Sequence, residues 1–259
     1  MATTGTLFLI PVYLGASDAN QLPLAVIDTA KRLRHFIVEN EKTARAFLSS
    51  IRTPVPQQEL SLTVLDEHTT PEEVPSLIAP LLEGIDCGLM SEAGCPGVAD
   101  PGSAVVALAH HRGIRVVPLA GPSSILLGLM ASGLNGQRFR FHGYLSRESG
   151  VRKEQLRSME KEVMKSGETQ LFIETPYRNQ AMLEDLLAVL APDTSLCIAC
   201  DLASSSEMVL SKSISAWKSS KPDLHKRPCI FLIGESVISG KQSSRRPPVA
   251  QHRPPRNRR

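Results

Sequence analysis

Aromatic residues are scarce in this chain, 4% of 259 residues, so its cores must rest on Leu, Ile, Val and Ala. Lys and Arg are missing from the first 30 residues, which leaves no positively charged region of the kind that opens a secretion signal. The apolar run at 7–14 contains Pro11 and is too short to span a bilayer, and no other run approaches 18 apolar residues. Membrane partners are therefore not expected, and the expected location is the cytosol. Cysteine is sparse as well: the five residues Cys87, Cys95, Cys197, Cys200 and Cys229 form an odd, scattered set, which argues for reduced thiols rather than a disulfide framework. Cys197 and Cys200 imitate a CxxC pair, but they lie in the apolar run SLCIAC. On a strand, side chains three residues apart point to opposite faces, so the two thiols do not share a metal and none is expected. Also missing are a GxGxxG fingerprint, a P-loop and any internal repeat.

What is present is ordinary for a globular protein: 42% hydrophobic and 21% charged residues, in a length that suits two small domains. Such a chain buries a full core without covalent staples. The net charge of +3 is unevenly spread. Residues 241–259 hold one Lys, six Arg and no acid, and taking those seven charges away leaves the remainder at −4. That tail also has four prolines and no periodicity, and is expected to be disordered.

The first half alternates strand and helix patterns. Strands are expected at 7–12, 35–38, 62–65, 88–91 and 115–119, and helices at 24–33, 41–51, 72–82, 103–111 and 123–132. This rhythm implies a mainly parallel sheet with helices on both faces, whose doubly buried strands read as continuous apolar runs. Residues 134–150, rich in Gly, Arg and Ser, break the rhythm and mark a boundary. Beyond it come helices at 151–165 and 179–190 and strands at 170–174, 195–200, 207–213 and 229–233. Long helices are missing between the last strands, so this half reads as mixed α/β with antiparallel pairs. The expected organisation is an N-terminal α/β domain over 1–134, a mixed domain over 135–240 and a basic tail over 241–259.

Open α/β sheets bind ligands at the carboxyl ends of their strands, and three loops stand out there. The first, IPVYLGASD at 10–18, runs straight from a strand into a glycine turn. The second, SEAGCPGVADPG at 91–102, packs three glycines, two prolines and two acids into twelve residues. Its small residues let a backbone approach a ligand and its prolines hold one shape. Asp100, before Pro101, also has a plain structural role open to it as a helix cap. The third is AGPSSILLGLMASG at 120–133, where Pro122 starts a helix whose first turn holds Ser123 and Ser124, with free amides suited to an anion.

In this order the loops resemble the tetrapyrrole methylase superfamily, methyltransferases that use S-adenosylmethionine. Within it the chain is most similar to the small-subunit rRNA cytidine 2′-O-ribose methyltransferases, which read PTPIGN, SDAGTPxxxDPG and PGPxA at these places. FHGYL at 141–145, FIETPYR at 172–178 and PCIFLIG at 228–234 also fall where that family has similar strings. The sequence departs from it at Ala16 (usually Asn), at Glu92 (usually Asp) and at DLAS, 201–204, where the family has ELTK-like strings. The resemblance implies a homodimer with S-adenosylmethionine in a cleft between two domains. It places Leu14 and Gly15, then Ser91, Glu92, Ala93 and Gly94, Val98, Ser123 and Ser124 near the cofactor. Backbone near Glu174, Ala203 and Cys229 would close over the adenine.

Methyl transfer from a sulfonium is an in-line displacement that needs positioning and exclusion of water. An unactivated 2′-hydroxyl also calls for a base, and Glu92, Asp100 and Glu174 are the candidates; for Glu174 the alternative is an ion pair with Arg178, one helical turn on. Arg147, Arg152, Lys153 and Arg157 either meet phosphates or form a solvated helix face. His110 and His111, adjacent on a helix, diverge and are not a paired site. Three functions remain open at this point: rRNA ribose methylation, methylation of a tetrapyrrole or other small molecule, and cofactor binding without catalysis. The few aromatics and the basic tail weigh against the second.

Overall fold

The computed structural model describes residues 4–15 and 19–236. Ala16 and the tail at 241–259 lie outside the described residues. The first sheet has five parallel strands: β1 (Thr6–Leu9), β2 (His35–Val38), β3 (Ser61–Val64), β4 (Cys87–Met90) and β5 (Arg115–Pro118), in the order β3-β2-β4-β1-β5. Helices α1 (Leu24–Arg32) and α2 (Glu41–Ser50) cover one face over a core of Ile10, Val26, Phe36, Phe47 and Leu48. Helices α3 (Val74–Leu77), α4 (Ala79–Leu82) and α5 (Ser103–His111) cover the other over Leu7, Ile37, Leu81, Leu89 and Val105. The chain winds outward from β1 through β2 to β3, returns to insert β4, then passes β1 to add β5. The switch point of this doubly wound sheet is therefore at β1, and the loops leaving β1, β4 and β5 converge above it.

The second sheet is mixed. Its strands are β6 (Phe139–Tyr144), β7 (Thr169–Glu174), β8 (Ser195–Cys200), β9 (Met208–Ser213) and β10 (Cys229–Gly234), in the order β6-β7-β10-β8-β9. Only β6 and β7 run parallel; the other neighbours are antiparallel. Helices α7 (Ser149–Ser166), α8 (Asn179–Val189) and α9 (Ile214–Ser219) pack on one face around Leu156, Phe172, Leu186, Phe231 and Trp217. The opposite face is covered by α6 (Ser124–Ser132) from the first half of the chain. Gly128 permits this contact: a Cβ there would stand 2.8 Å from Cγ2 of Ile230. As expected of a strand, Cys197 and Cys200 face opposite cores.

The structure redraws four sequence readings. The helix expected over 72–82 is two four-residue helices, because Pro80 has no N–H to donate one turn back. The strand expected over 7–12 ends at Leu9, and Val12 forms only an isolated bridge with Gly94. The segment read as a boundary at 134–150 contains β6, an edge strand whose partly exposed RFHGY pattern gives no continuous apolar run. Helix α9 is six residues long, too short for a periodic signal, yet it buries Trp217 and is capped by Ser213.

Candidate active site

The three loops are locked together by hydrogen bonds and close contacts. Val12 N–H donates to Gly94 at 2.8 Å and Gly94 N–H donates back at 3.0 Å, joining the first loop to the second. Cys95 Sγ lies 3.4 Å from the Pro122 carbonyl, joining the second to the third. Gly121 passes so close to Pro11 that a Cβ would sit 2.2 Å from the ring, so the first and third loops touch only because this residue has no side chain.

Above them lies a cleft of about 580 Å³ between the carboxyl edge of the first sheet and the β7, β8 and β10 ends of the second. That size is within the range of small-molecule sites. Most of the residues expected around the cofactor line it: Leu14, Gly15, Ala93, Gly94, Val98, Ser123, Ser124, Glu174 and Cys229. Asp100 joins them. Ser91, Glu92 and Ala203 do not line it. Ser91 is buried beneath the loop, where its hydroxyl donates to the Ala93 carbonyl at 3.3 Å and also bonds Asp100. Glu92 is exposed, and its N–H donates to Glu39 at 3.0 Å. Ala203 sits behind the wall between Leu202 and Ser204, at a left-handed φ of 63°.

The candidate bases now separate. Asp100 does not cap α5, whose N-cap is Gly102 without a side-chain bond. Its carboxyl instead faces the cleft, where burial and then the charge of Glu39 push its pKa up to about 6, against the pull of the Ser91 hydrogen bond. Glu174 is buried and held by Arg178, whose Nε donates at 3.0 Å, and by the Thr175 N–H at 2.6 Å. Its Oε2 is buried in the cleft wall with no hydrogen-bond partner among the described residues. Cys229 is the cross-strand partner of Cys200, and a hydrogen bond between the thiols together with burial raises its pKa and keeps it neutral.

Three of the four residues of the basic cluster, Arg152, Lys153 and Arg157, form ion pairs. Arg152, 5% exposed, donates to Asp185 at 2.8 Å, Lys153 stands 3.2 Å from the same carboxylate, and Arg157 pairs with Glu154 at 2.6 Å. Arg152 is therefore neither a phosphate contact nor part of a solvated face. It also donates to the Ser146 and Arg147 carbonyls at 3.1 Å, fixing the turn after β6.

Four side chains outside the expected site residues shape the site. Gln21 clasps its two walls: its amide oxygen accepts from Leu14 N–H at 2.9 Å, and its nitrogen donates to the Leu14 and Ala203 carbonyls at 3.2 Å. Glu39 leaves β2 beside the second loop, and burial raises its pKa. Asp201, at φ 48°, is held by Arg227 at 2.7 Å. Tyr144 stands at the cleft lip. Its signal was its place in FHGYL; Gln21 and Glu39 act across long sequence separations and leave none.

A parallel sheet whose carboxyl-edge loops face a mixed sheet across a cleft is the class of architecture seen in the methyltransferase CobJ. That structure superposes with a TM-score of 0.61 over 90% of this chain and 95% of its own, at 16% identity. A conserved hypothetical protein from Aeropyrum pernix K1 shares the fold with a TM-score of 0.65 over 90% of this chain and 85% of its own, at 15% identity. The chain belongs to the tetrapyrrole methylase family: the family described as Tetrapyrrole (Corrin/Porphyrin) Methylases matches residues 9–215. Its relatives include three proteins named Ribosomal RNA small subunit methyltransferase I. The one from Leptospira borgpetersenii is 35% identical over 78% of this chain and 77% of its own length. That from Escherichia coli O157:H7 is 28% identical over 88% and 77%. That from Vibrio cholerae is 30% identical over 69% of this chain, a match that spans only 62% of the Vibrio protein.

Proposed function

We propose that this chain is an S-adenosylmethionine-dependent methyltransferase that modifies small-subunit rRNA at the 2′-hydroxyl of a cytidine. The observation that carries the reading is the joint one: relatives named for small-subunit rRNA methylation match along most of the chain, and the loops that carry the resemblance line one cleft. The residues present fit the cofactor. Leu14, Val98, Ile125 and Ile230 give an apolar wall, the loop backbones give amides, and the unpartnered Glu174 Oε2 gives an acceptor for an amino or hydroxyl group. When bound, S-adenosylmethionine supplies an electrophilic methyl group on a sulfonium; the carboxylates of Asp100 and Glu174 suit that positive charge.

Asp100 is the base in this reading. Glu92 is turned outward and Glu174 is tied to Arg178, which leaves Asp100 as the carboxyl in the cleft wall free to take the 2′-hydroxyl proton. Its raised pKa makes it a stronger base than an ordinary carboxylate while leaving it largely ionised at pH 7. Ser91 holds it through a hydrogen bond, and the nearby Glu39 charge raises its pKa. The protein acts in the cytosol as a homodimer, for which exposed Leu126 and Met130, one turn apart on α6, offer apolar surface; light scattering reads the mass.

The deciding experiment incubates the purified chain with radiolabelled S-adenosylmethionine and small ribosomal subunits from a strain deleted for the enzyme. Label is expected in one 2′-O-methylcytidine. Label on a corrinoid or porphyrin precursor and none on RNA would move the reading to a small-molecule methylase. Cofactor binding with transfer to neither would make the chain a binding module.

A further inference from the structure

The lip of the cleft carries a feature that the methyl-transfer chemistry does not use. Strand β6 is one of the two edges of the second sheet, and it is bulged: Phe141 pairs with Leu171 but Tyr144 pairs with Ile173, so three residues advance on β6 for two on β7. The extra residue is accommodated at Gly143, whose φ of 66° is open to glycine at little cost. Bulges re-aim side chains, and this one changes the parity of the strand. Tyr144 is thereby placed on the same face as Phe141, toward the cleft, instead of following Arg140 and His142 to the other face.

The result is a large aromatic ring left 56% exposed at the mouth of a catalytic cleft, in a chain with few aromatics to spare. Its hydroxyl lies within the field of Asp100, Glu174 and Glu39; burial and those charges raise its pKa and keep it protonated. Tyr144 also forms the rim of a second hollow of about 210 Å³ on the far side of the strand. Arg140, His142, Gln155 and Ser158 line that hollow and present hydrogen-bonding groups around it. These groups are pre-set: His142 Nε2 is 2.7 Å from Gln170 Oε1, and the buried Gln170 amide nitrogen donates to Glu168 at 3.0 Å. Arg140 is 59% exposed, with its guanidinium 3.4 Å from Glu168.

We propose that this bulged edge is a subsite for single-stranded RNA, in which an unstacked nucleobase next to the methylated nucleotide lies on the ring of Tyr144 and is held at its polar edge by the hollow beside Arg140 and His142. The proposal rests on the RNA reading above and deepens it. Sequence-specific RNA recognition works on splayed single strands, whose bases stack on aromatic side chains and bond through their edges. Because Tyr144 borders both the cleft and the hollow, one nucleotide would present its ribose to Asp100 and its neighbour its base to Tyr144.

The test measures methyl transfer from S-adenosylmethionine to unmodified small ribosomal subunits by the full chain and by Tyr144→Ala, Tyr144→Phe and Arg140→Ala, with cofactor Kd determined separately. Tyr144→Ala is expected to raise KM for the RNA substrate by about ten-fold, the scale of one missing base stack. Arg140→Ala is expected to raise it several-fold. Tyr144→Phe, which keeps the stacking face, should restore a KM within about two-fold of the parent, and cofactor Kd should hold in all three. If the parent transfers to RNA and Tyr144→Ala and Arg140→Ala leave KM unchanged, the subsite is wrong while the RNA reading survives. A change confined to cofactor Kd would make Tyr144 part of the cofactor wall and overturn the subsite. No transfer by the parent overturns the RNA reading and the subsite together.

Discussion

Asp100 and Arg152 show how burial gives a charged residue opposite meanings. Asp100 is half-buried among acids with one hydroxyl for company, so its folded pKa, about 6, lies above the ordinary value of 3.8. The fold therefore favours the protonated form, and stability contributed by this group falls as pH rises from about 4 to 6. Asp100→Asn is expected to raise Tm at pH 7, by roughly 2–4 °C if the relief is near 1 kcal/mol, with the gain vanishing toward pH 4 in calorimetric scans. The same variant should lose about 10²–10⁴-fold in kcat, and parent activity should fall as pH drops below about 6. Retained kcat in Asp100→Asn would remove Asp100 as the base. At Asp185, burial pushes the pKa up, but hydrogen bonds from Arg152 and Lys153 outweigh it and hold the carboxyl below its usual value. That group stabilises the fold above the unfolded pKa and loses its contribution in acid. Arg152→Leu leaves Asp185 in a buried position with only Lys153 and Ser149, and about 3–5 kcal/mol of destabilisation is expected from urea unfolding at pH 7.

At the scale of elements, α6 is the piece that ties the molecule together. It leaves the third loop of the first sheet yet lies flat on β8, β9 and β10 of the second. Ile125 and Leu129 pack with Leu171, Ala199 and Leu232 in one core. The approach is close because Gly128 meets Ile230. Gly128→Val would force the helix off the sheet, at a cost of about 1–3 kcal/mol from overpacking. Because Ser123 and Ser124 line the cleft at the start of α6, the displacement is also expected to weaken cofactor binding. Isothermal titration alongside urea unfolding separates the two effects; reduced stability with unaltered cofactor Kd would show that α6 docking does not set the site. Gln21 acts in the same place from the other side, since its single amide joins the first loop to the loop after β8.

For the whole molecule, charge is divided between residues 1–240, of net −4, and residues 241–259, which carry seven cations. An acidic body suits a sulfonium cofactor but repels RNA. Residues 241–259 are then the expected source of sequence-independent phosphate attraction. Truncation after Gly240 is expected to leave Tm and cofactor Kd unchanged and to weaken RNA binding. The slope of log affinity against log salt should become shallower by about 0.7 for each single-strand phosphate that the segment no longer neutralises. Equal RNA affinity of the full and truncated chains at low salt would make the segment idle.

The sequence by itself determined the alternating layers of the first half, the mixed character of the second and the three loops of the site. Each of these is written in local signals: apolar runs for doubly buried strands, glycine and proline for rigid loops. It also supplied Asp100 as a candidate without deciding between a helix cap and a base. Only the tertiary structure removed the cap, a place taken by Gly102, and brought Ser91, Glu39 and the cleft around that carboxyl from separate elements. It likewise turned Arg152 inward, since Asp185 lies 33 residues away. It found β6 in a segment that reads as a linker, because an edge strand with one face exposed carries no continuous apolar run. And it brought Gln21 to Ala203, 182 residues on, a contact no local pattern encodes. Local propensity is short-ranged, whereas burial and hydrogen-bond partnership are set by whichever parts of the chain the packed sheets bring together.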